Sequence, residues 1–449
     1  MLTHNGYVTH HWTVEHKKQL SVRPLAPSPD FPRPNGFKIF RTCDGSLCVP
    51  RYFGQSVFGQ RVPDVRRDPS PAQIVAVGSL RTETRQDEAF TKATQSMESL
   101  GGAVISLPCG FGKTRVALEI ASHFKVRTAV LVHKEFLAEQ WRQAIKQFCP
   151  GASIGLVQGD TCDTEKDFVI IMIQTLSQRA WPKGLFHPIG LVIVDECHHI
   201  CARVFSQSMF AMCPKYSLGL SATPDRKDGL TEVMYWFLGP NVLTVTRKSS
   251  HVQVITVPFH GPFPQVTINR AGKVSLPEMI TDLTKIPERN EALLSLIRRV
   301  TEEDSQRHIL VLSDRREHVF FIKEHLDQMC ISTGVYIGGM KQCDLDESAR
   351  KRVILGTFSL AQEGLDIPTL DTAIFATPKS DIVQAAGRIL RKSHGEPVIY
   401  DFVDHWSVFH GMFYKRLRQY RGMEFSVTLE GDEGHSDHKE EYKVYRFDD

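Results

Sequence analysis

The stretch PCGFGKT, Pro108 to Thr114, sets two glycines, a lysine and a hydroxyl behind an apolar run, Ala103 to Leu107. A strand, a glycine-rich turn and a helix starting at Lys113 make a cradle whose backbone N–H groups point at anionic oxygens. Gly110 and Gly112 allow backbone conformations and a close approach that side chains would block. Lys113 can then reach outer phosphates, and the Thr114 hydroxyl can hold magnesium. The chemistry expected is the handling of a nucleoside triphosphate. A plain turn is the alternative, but it would not need Lys-Thr directly after the glycine. The strict loop pattern asks for glycine five residues before Gly112, where this chain has Leu107.

The second anchor is VIVDECHH, Val192 to His199. Four apolar residues ending in Asp-Glu read as a buried strand that delivers two carboxylates to its C-terminal end, where ligands bind in open α/β sheets. Asp195 is placed to hold magnesium through water. Glu196 is placed to orient and deprotonate an attacking water. A helix cap is the plainer reading of the two acids.

These two motifs, then SATP (Ser221 to Pro224) and QAAGRILR (Gln384 to Arg391), stand in an order and spacing that resemble a superfamily-two helicase of the DECH type. LPCGFGKT, GLSATPDRKDGL and QEGLDIP resemble the group of the TFIIH repair helicase, the phage recombination helicase and the poxvirus transcript-release helicase. WFLGP and VIYDFVDHWSVF are most similar to large-DNA-virus and phage members.

The resemblance implies roles for matching positions. Pro108, Cys109, Gly110, Phe111, Gly112, Lys113 and Thr114 bind ATP with Mg2+, Gln86 recognises adenine, and Asp366 touches the nucleotide from the second half. The usual lead-in to that glutamine is absent; Thr82-Glu83-Thr84-Arg85 stands there. His133, Lys134, Thr175 and Thr357 contact the nucleic-acid backbone, which carries no sequence information. Ser221, Thr223 and His198 couple nucleotide state to nucleic-acid binding. Gln384, Arg388 and Arg391, at i, i+4 and i+7, face ATP from one side of a helix. The two arginines act as fingers on the γ-phosphate.

Elements that could position these residues are legible in the hydrophobic rhythm. Apolar runs at 103–107, 128–132, 168–173, 190–194 and 216–220 are separated by helical patterns such as 113–124 and 134–148. A second series has runs at 252–258, 308–312, 333–337, 353–357, 372–376 and 397–402, with helices at 288–300, 314–328, 380–392 and 406–422. Such alternation predicts an α/β fold of parallel sheets covered by helices. The expected architecture is two tandem RecA-like domains, 79–247 and 248–425, behind a small β-containing region, 1–78. In that region GFKIF and SLCVPRYFG flank Asp44-Gly45, a hairpin signal whose basic and aromatic residues suit either strand contact or a packed cap. Residues 426–449 read as an acidic, disordered tail.

The 449 residues carry a net charge of +3; from Glu424 onward nine acids face three Lys/Arg, a balance of −6, leaving +9 for the body. A basic body suits a polyanion. Ten cysteines without a framework read as reduced thiols. Cys43 with Cys48, and Cys197 to Cys201, are weak candidates for zinc. No run approaches the ~18 apolar residues of a membrane span, and the N-terminus lacks a secretory pattern. A soluble intracellular protein without membrane partners is expected, and a monomer suffices.

The reading is an ATP-dependent DNA helicase or translocase moving 3′ to 5′, with single-stranded or forked DNA preferred over RNA. A duplex-tracking translocase that releases transcripts or displaces proteins without separating strands shares every motif. A catalytically dead nucleic-acid-binding scaffold is opposed by the intact Lys113, Thr114, Asp195, Glu196, Arg388 and Arg391. A small-molecule kinase would not carry the distal arginines.

Overall fold

The computed structural model describes residues 1–429 apart from 27–33, 44, 109, 223–225, 227, 247–250, 269–273, 364, 366 and 390–395. The chain divides into two compact units, 1–247 and 248–449. Both are RecA-like α/β domains, and a small β-rich region precedes the first.

The first unit is built on an eight-stranded sheet. Its order is Thr161–Cys162, Ile154–Gln158, Phe168–Met172, Thr128–Val132, Leu191–Val194, Tyr216–Ser221, Gly102–Ser106 and Asn241–Thr244. All neighbours are parallel except the first pair. Alternate strand residues serve opposite faces. Ala103, Ile105, Val130, Ile170 and Ile193 join one core with helices Gln86–Leu100, Lys113–Phe124 and Glu135–Phe148. Val104, Leu131, Ile171 and Val192 join the other. With both faces covered, these strands read as continuous apolar runs.

The second core also takes up the N-terminal region. Its antiparallel sheet runs Leu2–Thr3, Gly6–Thr9, Ser46–Val49, Arg41–Cys43. The expected hairpin forms, with Cys43 opposite Ser46. Its flanks differ from the sequence reading. Phe37–Lys38 pairs with Ser21–Val22 instead, and PRYFG ends the strand at Pro50 to open a helix, Arg51–Phe58. Proline cannot donate to a ladder, so pairing stops there. Phe53 then meets Trp236 edge-on at 5.2 Å. Gly54 is required, because a Cβ would lie 2.2 Å from the Tyr7 ring. Arg51 is buried and donates to the carbonyls of Lys215 (2.8 Å) and Leu100 (3.0 Å). This part of the basic–aromatic segment is a packed cap.

The second unit has a seven-stranded, all-parallel sheet. Its order is Thr333–Tyr336, Val353–Thr357, Ile309–Ser313, Thr372–Phe375, Val398–Asp404, Gln253–Phe259 and Ser426–Leu429. Helices Pro287–Glu303 and Arg316–Gln328 cover a core of Leu293, Ile297, Val319, Ile322 and their strand neighbours. Residues 426–429, expected to open a disordered tail, instead form the edge strand, pairing Ser426 with Gln253 and Thr428 with Ile255. The rest of the acidic tail lies outside the described residues.

Candidate nucleotide site and nucleic-acid face

In the first unit, five strands end on one sheet edge, and each end carries a motif. Gly102–Ser106 leads to the glycine-rich loop, Leu191–Val194 to Asp195-Glu196, Tyr216–Ser221 to Ser221 itself, Thr128–Val132 to His133-Lys134, and Phe168–Met172 to Thr175. Parallel pairing is what gathers residues far apart in sequence.

Gly110 and Gly112 both adopt left-handed backbone conformations, φ +82° and +81°. Gly112 is the residue before helix Lys113–Phe124. A Cβ there would lie 2.5 Å from Nε2 of Gln86. Gln86 is fully buried and fixed at both ends of its amide. Nε2 donates to the Phe111 carbonyl (2.9 Å), and Oε1 accepts from the Arg81 N–H (3.0 Å). The glutamine thus touches the loop although its usual lead-in is missing. Lys113 Nζ donates to the Leu107 carbonyl at 3.2 Å, folded back over the cradle.

Asp195 accepts the Trp141 indole N–H on Oδ2 (2.8 Å) and the Glu196 N–H on Oδ1 (3.0 Å). Burial and then the Glu196 charge raise its pKa, against the opposing pull of Trp141 and Lys113. Glu196 sits at φ +45°, where non-glycine residues are uncommon. Its Oε2 is buried, accepts no hydrogen bond among the described residues, and lies 3.5 Å from His198 Nδ1. A buried carboxylate oxygen without a hydrogen bond, on a strained backbone, is a costly arrangement of a kind that clusters at functional sites.

His198 Nδ1 also lies 3.3 Å from the Ser221 hydroxyl, so one imidazole bridges the acid motif and the serine. The His199 ring lies tilted against His198 at 4.3 Å and against His133 at 4.0 Å. Gln174 Nε2 donates to the His133 carbonyl at 2.5 Å. Thr175 Oγ1 accepts the Gly159 N–H at 3.2 Å, and Lys134 precedes helix Glu135–Phe148. Cys197 and Cys201 are buried in the core, Cys197 Sγ lying 3.1 Å from Met234 Sδ.

Sequence reasoning missed two supports. The first is Trp141, whose helical spacing with Leu137 and Ile145 signals packing alone. The second is Arg226, which donates to the His198 carbonyl (2.5 Å) and pairs with Asp228 (Nε to Oδ1, 2.9 Å). Burial opposes ionisation of Asp228, but Arg226 outweighs it and holds the carboxyl below its usual range.

In the second unit, Thr357 is buried at the end of its strand, 3.2 Å from the Ser359 hydroxyl. Helix Val383–Ile389 carries Gln384, half-buried, and Arg388, buried with Nε donating to the Ala361 carbonyl at 2.7 Å. Cys109, Thr223, Asp366 and Arg391 lie outside the described residues. The last helix, Val408–Gly422, carries four Lys and Arg residues. Arg416 is buried against Asp401 (2.8 Å) and the Lys379 carbonyl (2.8 Å), while Lys415, Arg418 and Arg421 are exposed.

The family described as type III restriction enzyme, res subunit, matches residues 73–226. Over 408 residues the chain is 33% identical to "Putative ATP-dependent RNA helicase L396" of Acanthamoeba polyphaga mimivirus, covering 87% of this chain and 78% of that one. The chain belongs to the superfamily-two helicases. This superfamily-two helicase is also 27% identical over 388 residues to "Putative ATP-dependent RNA helicase QP509L" of African swine fever virus (isolate Tick/South Africa/Pretoriuskop Pr4/1996), covering 78% of this chain and 75% of that one. Among solved structures, S. cerevisiae Dbp5 bound to RNA and ADP BeF3 shares the fold (TM-score 0.53, 13% identity, 80% of this chain and 90% of that one).

The relatives overturn the expected preference for DNA. Both viral proteins are named for RNA, and Dbp5 was solved with RNA. The physical reason for the error is that the motifs read backbone phosphate, which both polymers share. Family-level activity is ATP-dependent translocation or unwinding of nucleic acid. No helix among the described residues is long and apolar enough to cross a membrane.

Proposed function

We propose that this helicase is an ATP-driven translocase that grips RNA and displaces it, or proteins bound to it, from nucleic-acid complexes. The observation that carries the catalytic half is Glu196. It is a buried carboxylate, its Oε2 lying 3.5 Å from His198 Nδ1, held at the same sheet edge as the glycine-rich loop. Such a group is suited to take a proton from an attacking water.

In this reading the loop from Pro108 to Thr114, Cys109 included, cradles ATP. Gln86, already on the loop, reads the base. Thr114 and Asp195 would hold Mg2+, which neutralises phosphate charge when bound. The donors fit a hard cation: a hydroxyl and a carboxylate, the latter buried and steadied by Trp141. Gln384, Arg388 and Arg391 act on the phosphates from the second unit together with Asp366. The bridge from Glu196 through His198 to Ser221, with Thr223 beyond, passes the state of the nucleotide to the strand contacts. His133, Lys134, Thr175 and Thr357 hold that strand. Transcript release is favoured over plain unwinding because the viral relatives are named for RNA; 3′ to 5′ movement rests on the resemblance alone.

The test is steady-state ATP hydrolysis with no nucleic acid, single-stranded RNA, duplex RNA, an RNA–DNA hybrid and single-stranded DNA, at two salt concentrations. It is joined to displacement of a labelled RNA from a hybrid. RNA-stimulated, salt-sensitive turnover with displacement is expected. Stimulation by DNA alone would refute the RNA track, and no stimulation by any polymer would refute the motor.

A further inference from the structure

Among the described residues, one cleft of the first unit is walled by cations and aromatics and by no carboxylate. It encloses about 670 Å³ between segment 176–187, residues 207–211 and the N-terminal sheet. Arg41, Arg179, Lys183 and His187 line it, and no described Asp or Glu is among its lining residues. The whole chain is nearly balanced, 54 Lys and Arg against 51 Asp and Glu, so the one-sided wall is a local feature.

The aromatic part is held still. The Trp181 indole N–H donates to the Leu176 carbonyl at 3.1 Å, and its ring meets Phe186 edge-on at 5.4 Å. The Arg179 guanidinium lies 4.6 Å from the indole centroid. Across the cleft, Arg41 donates to the Gln207 carbonyl at 2.7 Å, and Asn5 to the Phe210 carbonyl at 2.7 Å. These two bonds fasten the N-terminal sheet to the opposite wall. The cleft begins where helix Ile173–Gln178, which carries Thr175, ends: Leu176 and Ser177 line it.

We infer that this cleft is a separate binding station for single-stranded RNA, which continues a strand held at Thr175 onto the N-terminal region. The inference rests on the RNA-translocase reading. The cavity has the volume of a nucleotide-sized ligand. A base stacks on the Trp181–Arg179 surface, which is sequence-tolerant because every base has a π-face. Arg41 and Lys183 take flanking phosphates. An acidic peptide would use the cations but not the fixed indole.

The experiment is photocrosslinking of the full chain to oligouridylate carrying 4-thiouridine, with the adducts located by mass spectrometry. Adducts within 179–187 are expected, lost on competition with unlabelled oligouridylate. Trp181→Ala should raise the half-saturating RNA concentration about tenfold, with Trp181→Phe restoring most of it. Lys183→Ala should flatten the salt dependence, lowering the slope of log K against log salt by about 0.7. Adducts at His133, Lys134 or Thr175 but none in the cleft would sink this inference and leave the motor standing. Equal displacement of the RNA by polyglutamate and oligouridylate would sink it too. No adduct anywhere, with no RNA-stimulated turnover, would remove the motor reading as well. The wild-type adduct map needs no variant to fold.

Discussion

The indole Nε1 of Trp141 donates a 2.8 Å hydrogen bond to Oδ2 of Asp195 across 54 residues of sequence. Trp141 lies on the buried face of its helix with Leu137, Ala138 and Ile145. Packing therefore fixes the indole, and the indole fixes one carboxylate oxygen. A group that orients a metal-holding carboxylate typically matters about 10–100-fold. Trp141→Phe keeps most of the packing and deletes the donor. The magnesium concentration for half-maximal ATP hydrolysis should rise at least about tenfold, and an unchanged magnesium titration would count against the role given to Asp195.

Glu196→Gln preserves shape and removes the base. Turnover should fall by about 10²-fold or more, with ATP binding retained. Lys113→Ala should lose turnover and weaken ATP binding together. Equilibrium binding of a fluorescent ATP analogue, run beside the hydrolysis assay, separates the two cases. Wild-type turnover in either variant would refute the site.

Arg388 is anchored through Nε to the Ala361 carbonyl. If its guanidinium meets the γ-phosphate, Arg388→Ala should cut turnover about 10³-fold with ATP affinity little changed. Unaltered hydrolysis would leave Arg388 a purely structural link between two helices.

Arg416 and Asp401 form an ion pair that is all but inaccessible, 2% and 1% exposed. Tyr420 adds its hydroxyl to the same carboxylate oxygen at 2.9 Å. Arg416→Ala strands a buried charge, which typically costs about 3–5 kcal/mol. Urea unfolding should show a large loss of stability. A loss below about 1 kcal/mol, the range of an exposed pair, would refute the energetic role given to this ion pair.

His318 is buried between the Ser313 hydroxyl (3.0 Å) and Asn290 Oδ1 (3.2 Å). Burial, and then the charge of Arg289, lower its pKa from 6.5 to about 3. The folded ring stays neutral where the unfolded one takes a proton. Stability is therefore intact above pH 6.5 and declines from there toward about pH 3, at up to about 1.4 kcal/mol per pH unit. His318→Gln should flatten urea-unfolding stability between pH 6.5 and 5 relative to wild type, and an identical slope would exclude His318 as the cause.

The sequence alone determined the two α/β units and the motifs at their strand ends. Strands such as Phe168–Met172 and Val353–Thr357 are buried on both faces, so they stand out as unbroken apolar runs. The glycine-rich loop and the Asp-Glu pair are contiguous motifs, visible without any tertiary contact. Strands at a sheet edge or next to it, such as Ser426–Leu429 and Ile154–Gln158, carry a weaker apolar signal and were not legible. Tertiary structure alone decided that PRYFG turns into a helix that caps the sheet, and that Arg416 is buried while Arg418 is exposed. It also decided that Trp141 finds Asp195, that His198 bridges Glu196 and Ser221, and that Arg41 and Lys183 share one cleft. Except for the short step from Glu196 to His198, those partners are tens to more than a hundred residues apart. Local propensity carries no information about such pairings, because parallel strand order and packing choose which chain ends meet.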